Sequence, residues 1–316
     1  MIRTKHKIIN IRVFLHPNNL WFDARIQYNY DRNDLKIRSI NVEKITETIK
    51  EMCIEATHFL SKDMIDALAN AKEKEESCLG KQILSQLEEN LQIAGNDMIP
   101  ICQDTGMAII FIKVGQEVHF EGGNLEDAIN EGVRRGYVDG FLRKSVVSDP
   151  IIRENTKDNT PAVIYYEIVP GDQVDITFAP KGFGSENMSK IYMLKPADGI
   201  EGVKQAIINT VKEAGPNACP PMVVGVCIGG TFDKCAVLSK KALTREVGKH
   251  SEIPYVKELE IEMLEKINSL GIGPGGLGGT QTAFAVNIET YPTHIAGMPV
   301  AVNICCHVNR HSHRVI

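Results

Sequence analysis

The apolar run Met107-Ala-Ile-Ile-Phe-Ile112 follows directly on the stretch Pro100-Ile-Cys-Gln-Asp-Thr-Gly106, and this junction constrains the fold more than any other part of the chain. The run is short and rich in β-formers, so it reads as a buried strand. Pro100 and Gly106 punctuate a turn on either side of the polar stretch. Between them a thiol, an amide, a carboxylate and a hydroxyl stand on successive residues, Cys102 to Thr105. Reactive side chains on a loop at the mouth of a strand are a common way to hold chemistry on a rigid scaffold. Taken alone, the stretch reads equally well as a turn with one buried cysteine.

Composition mainly excludes. With 316 residues, 43% of them hydrophobic, the chain can bury a substantial core as one large domain or two smaller ones. A net charge of −5 and a pI near 6.0 give no electrostatic case for nucleic acid or an anionic membrane. No window approaches the length of an apolar membrane span, and the N-terminus has no signal-type apolar core. Eight cysteines (53, 78, 102, 219, 227, 235, 305 and 306) in a chain this long point to a reducing cytoplasmic setting. Their spacing fits neither a C-x-x-C zinc site nor a ferredoxin run. A cysteine site would have to be assembled from distant segments.

Helical periodicity begins at Asn41, with Val42, Ile45, Ile49, Met52, Cys53 and Ala56 on one face, and continues through helices over 61–74 and 79–93. Cys53 and Cys78 fall in or beside these helices and read as structural. A strand pair is expected around Val118-His119-Phe120, then a helix over 125–137, which Gly140-Phe-Leu-Arg143-Lys144 ends. Strands over 162–169 and 174–179 are joined by Pro170-Gly171-Asp172, which reads as a hairpin. The loop Ala179-Pro-Lys-Gly-Phe-Gly-Ser185 either lets backbone N–H groups approach an anion or makes a tight bend. A helix over 202–214 leads to Gly215-Pro-Asn-Ala-Cys219-Pro-Pro221 and a buried strand, 222–228. A charged helix over 255–270, a glycine-rich loop over 271–279 and strands over 282–288 and 298–304 follow. Cys305-Cys306 stand at the end of the last strand, and a basic tail closes the chain. The expected fold is α/β, with mixed β-sheets flanked by helices. Residues 1–38, without a sustained period, are expected to be a poorly ordered N-terminal extension to a catalytic domain over 39–316.

Cys102, Cys219 and one of Cys305 or Cys306 each lie at a strand end beside Pro, Gly or polar residues. Three thiolates with one corner open suit a [4Fe–4S] cluster whose fourth iron is free for substrate. Sequence alone does not bring them together.

The runs Pro100–Gly106, Gly215–Pro221, Gly225–Thr231, Gly278–Ile288 and Tyr291–Gly297 resemble class I fumarate hydratase, most closely the alpha subunit of its two-chain form. They are also similar to the alpha subunit of L-tartrate dehydratase. The resemblance covers roughly residues 38–316. It implies an oxygen-sensitive [4Fe–4S] hydro-lyase that interconverts (S)-malate and fumarate. Carried over residue by residue, it implies Cys102, Cys219 and Cys306 as cluster ligands, Cys306 because it stands four residues before Arg310. It implies substrate contacts at Gln103, Asp104, Arg143, Gly184 and His294, with Asp104 and His294 as the proton-handling or orienting pair. It further implies that His294 acts from a neighbouring copy, that a separate beta subunit brings the proton abstractor, and that alpha–beta units dimerise. Lys157, Phe183 and Cys227 depart from glycines of the family pattern, and Phe183 is expected to crowd the loop beside Gly184. The alternatives are L-tartrate dehydration by the same subunit type or, in another class, a cluster-bearing electron carrier or zinc-stabilised binding module.

Overall fold

The computed structural model describes residues 37–316, together with one backbone pairing ahead of them, β1 (Ile9–Asn10) antiparallel to β2 (Gln27–Tyr28). The expectation of a poorly ordered extension therefore falls outside the described residues, these few apart. The chain then runs β3 (Arg38–Asn41), α1 (Val42–His58), α2 (Lys62–Lys74), α3 (Cys78–Asp97), β4 (Met107–Gly115), β5 (Val118–Glu121) and α4 (Leu125–Asp139). After a long loop come β6 (Val163–Val169), β7 (Val174–Lys181), the single turn α5 (Phe183–Glu186), β8 (Lys190–Leu194) and α6 (Gly199–Ala214). The last third is β9 (Met222–Gly229), α7 (Phe232–Ala242), α8 (Pro254–Asn268), β10 (Ala283–Tyr291), β11 (Met298–Cys305) and β12 (Ser312–Val315).

Two four-stranded mixed sheets carry the fold, as the sequence led one to expect. The first has the order β12-β7-β4-β6, with β4 parallel to β6 and antiparallel to β7. Its apolar face meets α1 and α4 in a core of Ile45, Ile49, Met52, Ile110, Ile112, Ile129, Tyr137, Ile176 and Phe178. Asn41 starts α1 by accepting the Glu43 N–H at 2.9 Å, and the helix then buries the face read from its period. Glycine lets α4 lie close on α1, because a Cβ at Gly136 would sit 2.6 Å from the Cβ of Cys53. Cys53 is thus a packing residue.

The second sheet has the order β10-β9-β11-β8 and is covered on both faces. Val224 and Val226 point to α6 and α8, meeting Ile207, Val211, Met263 and Ile267. Alternate residues face the other way: Val223 meets Met64 of α2, and Cys227 meets Cys235 of α7. This period of two in a buried strand is what the run Met222–Ile228 encodes.

One expectation is corrected. The segments 162–169 and 174–179 do not form a hairpin, since β4 lies between β6 and β7. The nine-residue apolar β4 needs a neighbour on each edge. The 170–172 turn instead closes over its end, where the N–H groups of Gly115 and Glu117 bond Gln173 and Gly171 carbonyls. Val118–Glu121 pairs in parallel with Arg38–Asn41. The basic tail is strand β12, hydrogen-bonded to β7.

Candidate active site

The cysteine segments meet where the two sheets adjoin. The 100–106 loop leads into β4 of the first sheet; Cys219 precedes β9, and Cys306 follows β11, both in the second. Because β9 and β11 are antiparallel, with Cys305 opposite Val223, the segments carrying Cys219 and Cys306 emerge at the same sheet edge. His307 ties them together, as its N–H and Nδ1 lie 3.2 and 3.0 Å from the Cys219 carbonyl. Cys102 and Cys306 pack against one small cluster, Ala94, Ile101 and Val308. Cys305 is buried and packs in the core with Met64, Val223, Leu243 and Ala285. Burial, then the nearby charges of Cys306 and Cys102, push the Cys219 thiol up. Three thiols in one hollow thus resist ionising together.

Cys219 is held in a costly conformation. Its backbone is left-handed, with φ 51° and ψ 64°, its N–H bonds the Pro216 carbonyl at 3.0 Å, and its side chain is exposed. Strain of this kind persists only where the surroundings impose it. Here the glycine-rich 271–279 loop does so: the Gly275 N–H bonds the Pro220 carbonyl at 2.9 Å, and a Cβ on Gly276 would lie 2.3 Å from that of Pro216. Glu75, buried beside α3, anchors this loop by accepting the N–H groups of Thr280 and Gln281 at 2.9 Å each. Burial would raise the Glu75 carboxyl, but these donors and Ser77 outweigh it and hold it below the usual range.

The Cys102 loop is braced from behind. The Tyr137 hydroxyl donates to the Thr105 and Gly106 carbonyls, each at 3.0 Å, and the Asn159 amide donates to Gly106 at 3.2 Å. Asp104 accepts the Gly106 N–H at 3.0 Å and, through its other oxygen, the Phe183 N–H at 2.9 Å. The glycine loop after β7 is therefore the helical turn α5, whose first N–H meets an internal carboxylate. Lys181 at its entrance is buried, donating to the Ile304 carbonyl at 2.7 Å and pairing with Glu186 at 3.1 Å, which joins the ends of β7 and β11.

The substrate residues implied by the resemblance divide. Gln103 is exposed beside Cys102, with the thiol 3.4 Å from its Oε1. Arg143 is exposed next to the same loop, since its carbonyl accepts from Thr105 Oγ1 at 3.0 Å. Gly184 is open, with only the Asn217 carbonyl 4.0 Å from where a Cβ would stand. The expected crowding by Phe183 is absent, for its ring is 49% exposed. His294 is not brought in. It lies on the exposed turn after β10, tied by Thr293 to the Gly230 carbonyl at 2.9 Å, at the opposite end of β9 from Cys219. Eight strand residues separate those ends, roughly 23 Å at the rise of a β-strand.

Lys157 adopts φ 69°, with its N–H on Asn155 Oδ1 at 2.6 Å, a left-handed position that glycine fills without cost. Lys157→Gly is expected to raise unfolding stability by about 0.5–1 kcal/mol. Denaturant titration checks this, and a loss of stability would show that the lysine side chain makes a compensating contact. Cys227, the third departure, has its carbonyl bonded by the Cys235 thiol at 3.2 Å under α7.

Among the described residues, no three His, Cys, Asp or Glu side chains gather tightly enough to hold one metal ion. A soft sulfur donor set delivered by three separate loops fits a polynuclear iron–sulfur group with one position left open. A cavity of about 520 Å³ between α2, α8 and β10 contains none of the candidate residues. Among the described residues, no helix is long and apolar enough to cross a membrane.

The family model described as "Fumarate hydratase (Fumerase)" matches residues 46–315. The chain is 42% identical over 273 residues to the "Putative L(+)-tartrate dehydratase subunit alpha" of Methanocaldococcus jannaschii, covering 84% of this chain and 95% of that protein. It is 33% identical over 272 residues to the L(+)-tartrate dehydratase subunit alpha of Escherichia coli K12, covering 85% and 89%. The Shigella sonnei protein of the same name matches at the same identity and coverage.

Proposed function

The chain belongs to the fumarate hydratase (Fumerase) family, a hydro-lyase family, and on that premise we propose that it is the alpha subunit of a [4Fe–4S] enzyme interconverting (S)-malate and fumarate. The observation that supports this is that the segments carrying Cys219 and Cys306 emerge at the same end of β9 and β11, while Cys102 packs on the same small cluster as Cys306, with Gln103 and Asp104 next to it in sequence. When bound there, such a cluster supplies an open iron acting as a Lewis acid toward the substrate's carboxylate and hydroxyl. The dehydration breaks a C–H bond beside one carboxylate and a C–O bond on the neighbouring carbon, forms the double bond and releases water.

This chain's residues bind and orient. Arg143 offers a guanidinium fork to a substrate carboxylate. Asp104, already bonded to Gly106 and Phe183, fixes α5 and hence the open Gly184 beside the Cys102 loop. Gln103 adds an amide at the mouth. The proton abstractor is assigned to a separate beta subunit, consistent with the relatives' names as alpha subunits. His294 is assigned to a neighbouring copy's site, because it stands at the far end of β9 from its own cysteines. The assembly is a dimer of alpha–beta units in the cytoplasm.

L-tartrate is the second reading, favoured by the relatives' names. Co-expression with the beta subunit and anaerobic assay on (S)-malate, fumarate and L-tartrate decides between them. The expected result is a kcat/KM about 10–100-fold higher for malate, the discrimination available against one extra hydroxyl. The opposite order would assign the enzyme to tartrate, and inactivity on all three would sink the hydro-lyase proposal.

A further inference from the structure

Arg310 is anomalous. Its side chain is 4% exposed, yet only one of its three nitrogens has a partner: Nη2 donates to the Asp104 carbonyl. Nε and Nη1 are buried and bond nothing among the described residues. Native proteins rarely leave buried donors unpaired, and a buried cation without an anion is costlier still. A substrate carboxylate does not resolve this, because the group is sealed from solvent.

The surroundings indicate what does. Val308, two residues earlier, packs with Ile101 in the cluster that also receives Cys102 and Cys306, so the chain after Cys306 passes beneath the Cys102 loop. Arg310 follows Cys306 by four residues, and its Nη2 is held against the carbonyl of Asp104, two residues from Cys102. Three thiolates delivered to one hollow would repel one another. A buried guanidinium with two idle donors and a hollow of crowded thiolates each lack what the other supplies.

Resting on the cluster reading above, we propose that Arg310 is a positioning residue and the counter-charge of the cysteine hollow. One nitrogen fixes the Asp104 carbonyl, and with it the Cys102-Gln103-Asp104 loop. Nε and Nη1, idle in the protein alone, would serve as donors to the sulfur of a bound cluster. Hydrogen bonds and positive charge at sulfur stabilise the more negative, reduced state of an iron–sulfur centre and so raise its potential. A lysine, with a compact charge and no rigid fork, could reach the Asp104 carbonyl but not serve both tasks.

The test uses the full chain co-purified anaerobically with its beta subunit, as wild type, Arg310→Lys and Arg310→Met. Cluster loss to a chelator is expected to be about tenfold faster in Arg310→Met, in the range for removed outer partners. The cluster reduction potential should fall in Arg310→Met and by less in Arg310→Lys. Backbone amide exchange in the 102–106 loop of the apoprotein should rise in Arg310→Met. If Arg310→Met does not fold, the Arg310→Lys potential carries the test. A variant with wild-type potential and chelator kinetics overturns the role of Arg310 while leaving the hydro-lyase proposal intact. A wild-type protein that takes up no cluster overturns both.

Discussion

Serine in place of Cys219 is expected to leave the anaerobically purified protein without its cluster, and serine at Cys102 or Cys306 should do the same. A serine hydroxyl does not ionise near neutral pH and is a hard donor where iron–sulfur chemistry wants a soft one. Without the cluster the leaving hydroxyl loses its Lewis acid, a contribution of several kcal/mol, so activity should fall by roughly 10³-fold or more. Cys305→Ser is the discriminating control. Cys305 lies in a core of Met64, Val223, Leu243 and Ala285, whereas Cys306 shares its surroundings with Cys102. Cys305→Ser should therefore keep its iron. Cys78, exposed at the start of α3, and Cys235, on the buried face of α7, should be equally dispensable. Iron and sulfide per chain, with visible absorbance, give the measurement. Full iron in Cys219→Ser would break the ligand set, and an empty Cys305→Ser would exchange the adjacent pair.

What could be read from the sequence was local. The face of α1 is spelled by Ile45, Ile49, Met52 and Ala56, and the structure buries it. The single-run strands β4 and β9 were visible because strands covered on both faces need uninterrupted apolar residues. Partner choice was not visible. Pro170-Gly171-Asp172 has good turn chemistry, but turn chemistry does not reveal that β4 will slip between the strands it joins. The braces of the site join residues far apart in sequence, Lys181 with Ile304 across 123 positions and Arg310 with Asp104 across 206. Each side chain alone reads as an ordinary surface charge. Glu75 is similar: one glutamate among many near the end of α2, given its role by a loop that arrives 205 residues later. Only the family resemblance linked Cys102, Cys219 and Cys306, since their spacing carries no motif. Lys157 gave a usable local signal, because the family pattern that the sequence resembles implies glycine there and hence a left-handed backbone, and its φ of 69° is one.

His294 yields the sharpest test of assembly. Within its own chain it stands a full strand length from Cys219, on an exposed turn beside Ile295, which is 91% exposed. Reaching its own cysteine hollow would require the β10–β11 connection to abandon the Thr293 bond to Gly230 and cross the sheet. A second copy presenting this turn to the hollow needs no such rearrangement. His294→Asn alone should lower kcat by about 10²–10⁴-fold if the imidazole handles a proton. It should leave cluster content unchanged, since it stands at the far end of β9 from Cys219. Cys219→Ser alone should be inactive. Co-expressing the two variants with the beta subunit forms mixed dimers in which one site combines an intact Cys219 with an intact His294 from the other copy. Random pairing makes half the dimers mixed, with one working site of two, so about a quarter of wild-type activity should return. Mixed dimers detected by mass but without activity would place His294 outside the neighbouring site, and the proton-handling group would then have to be sought on the beta subunit.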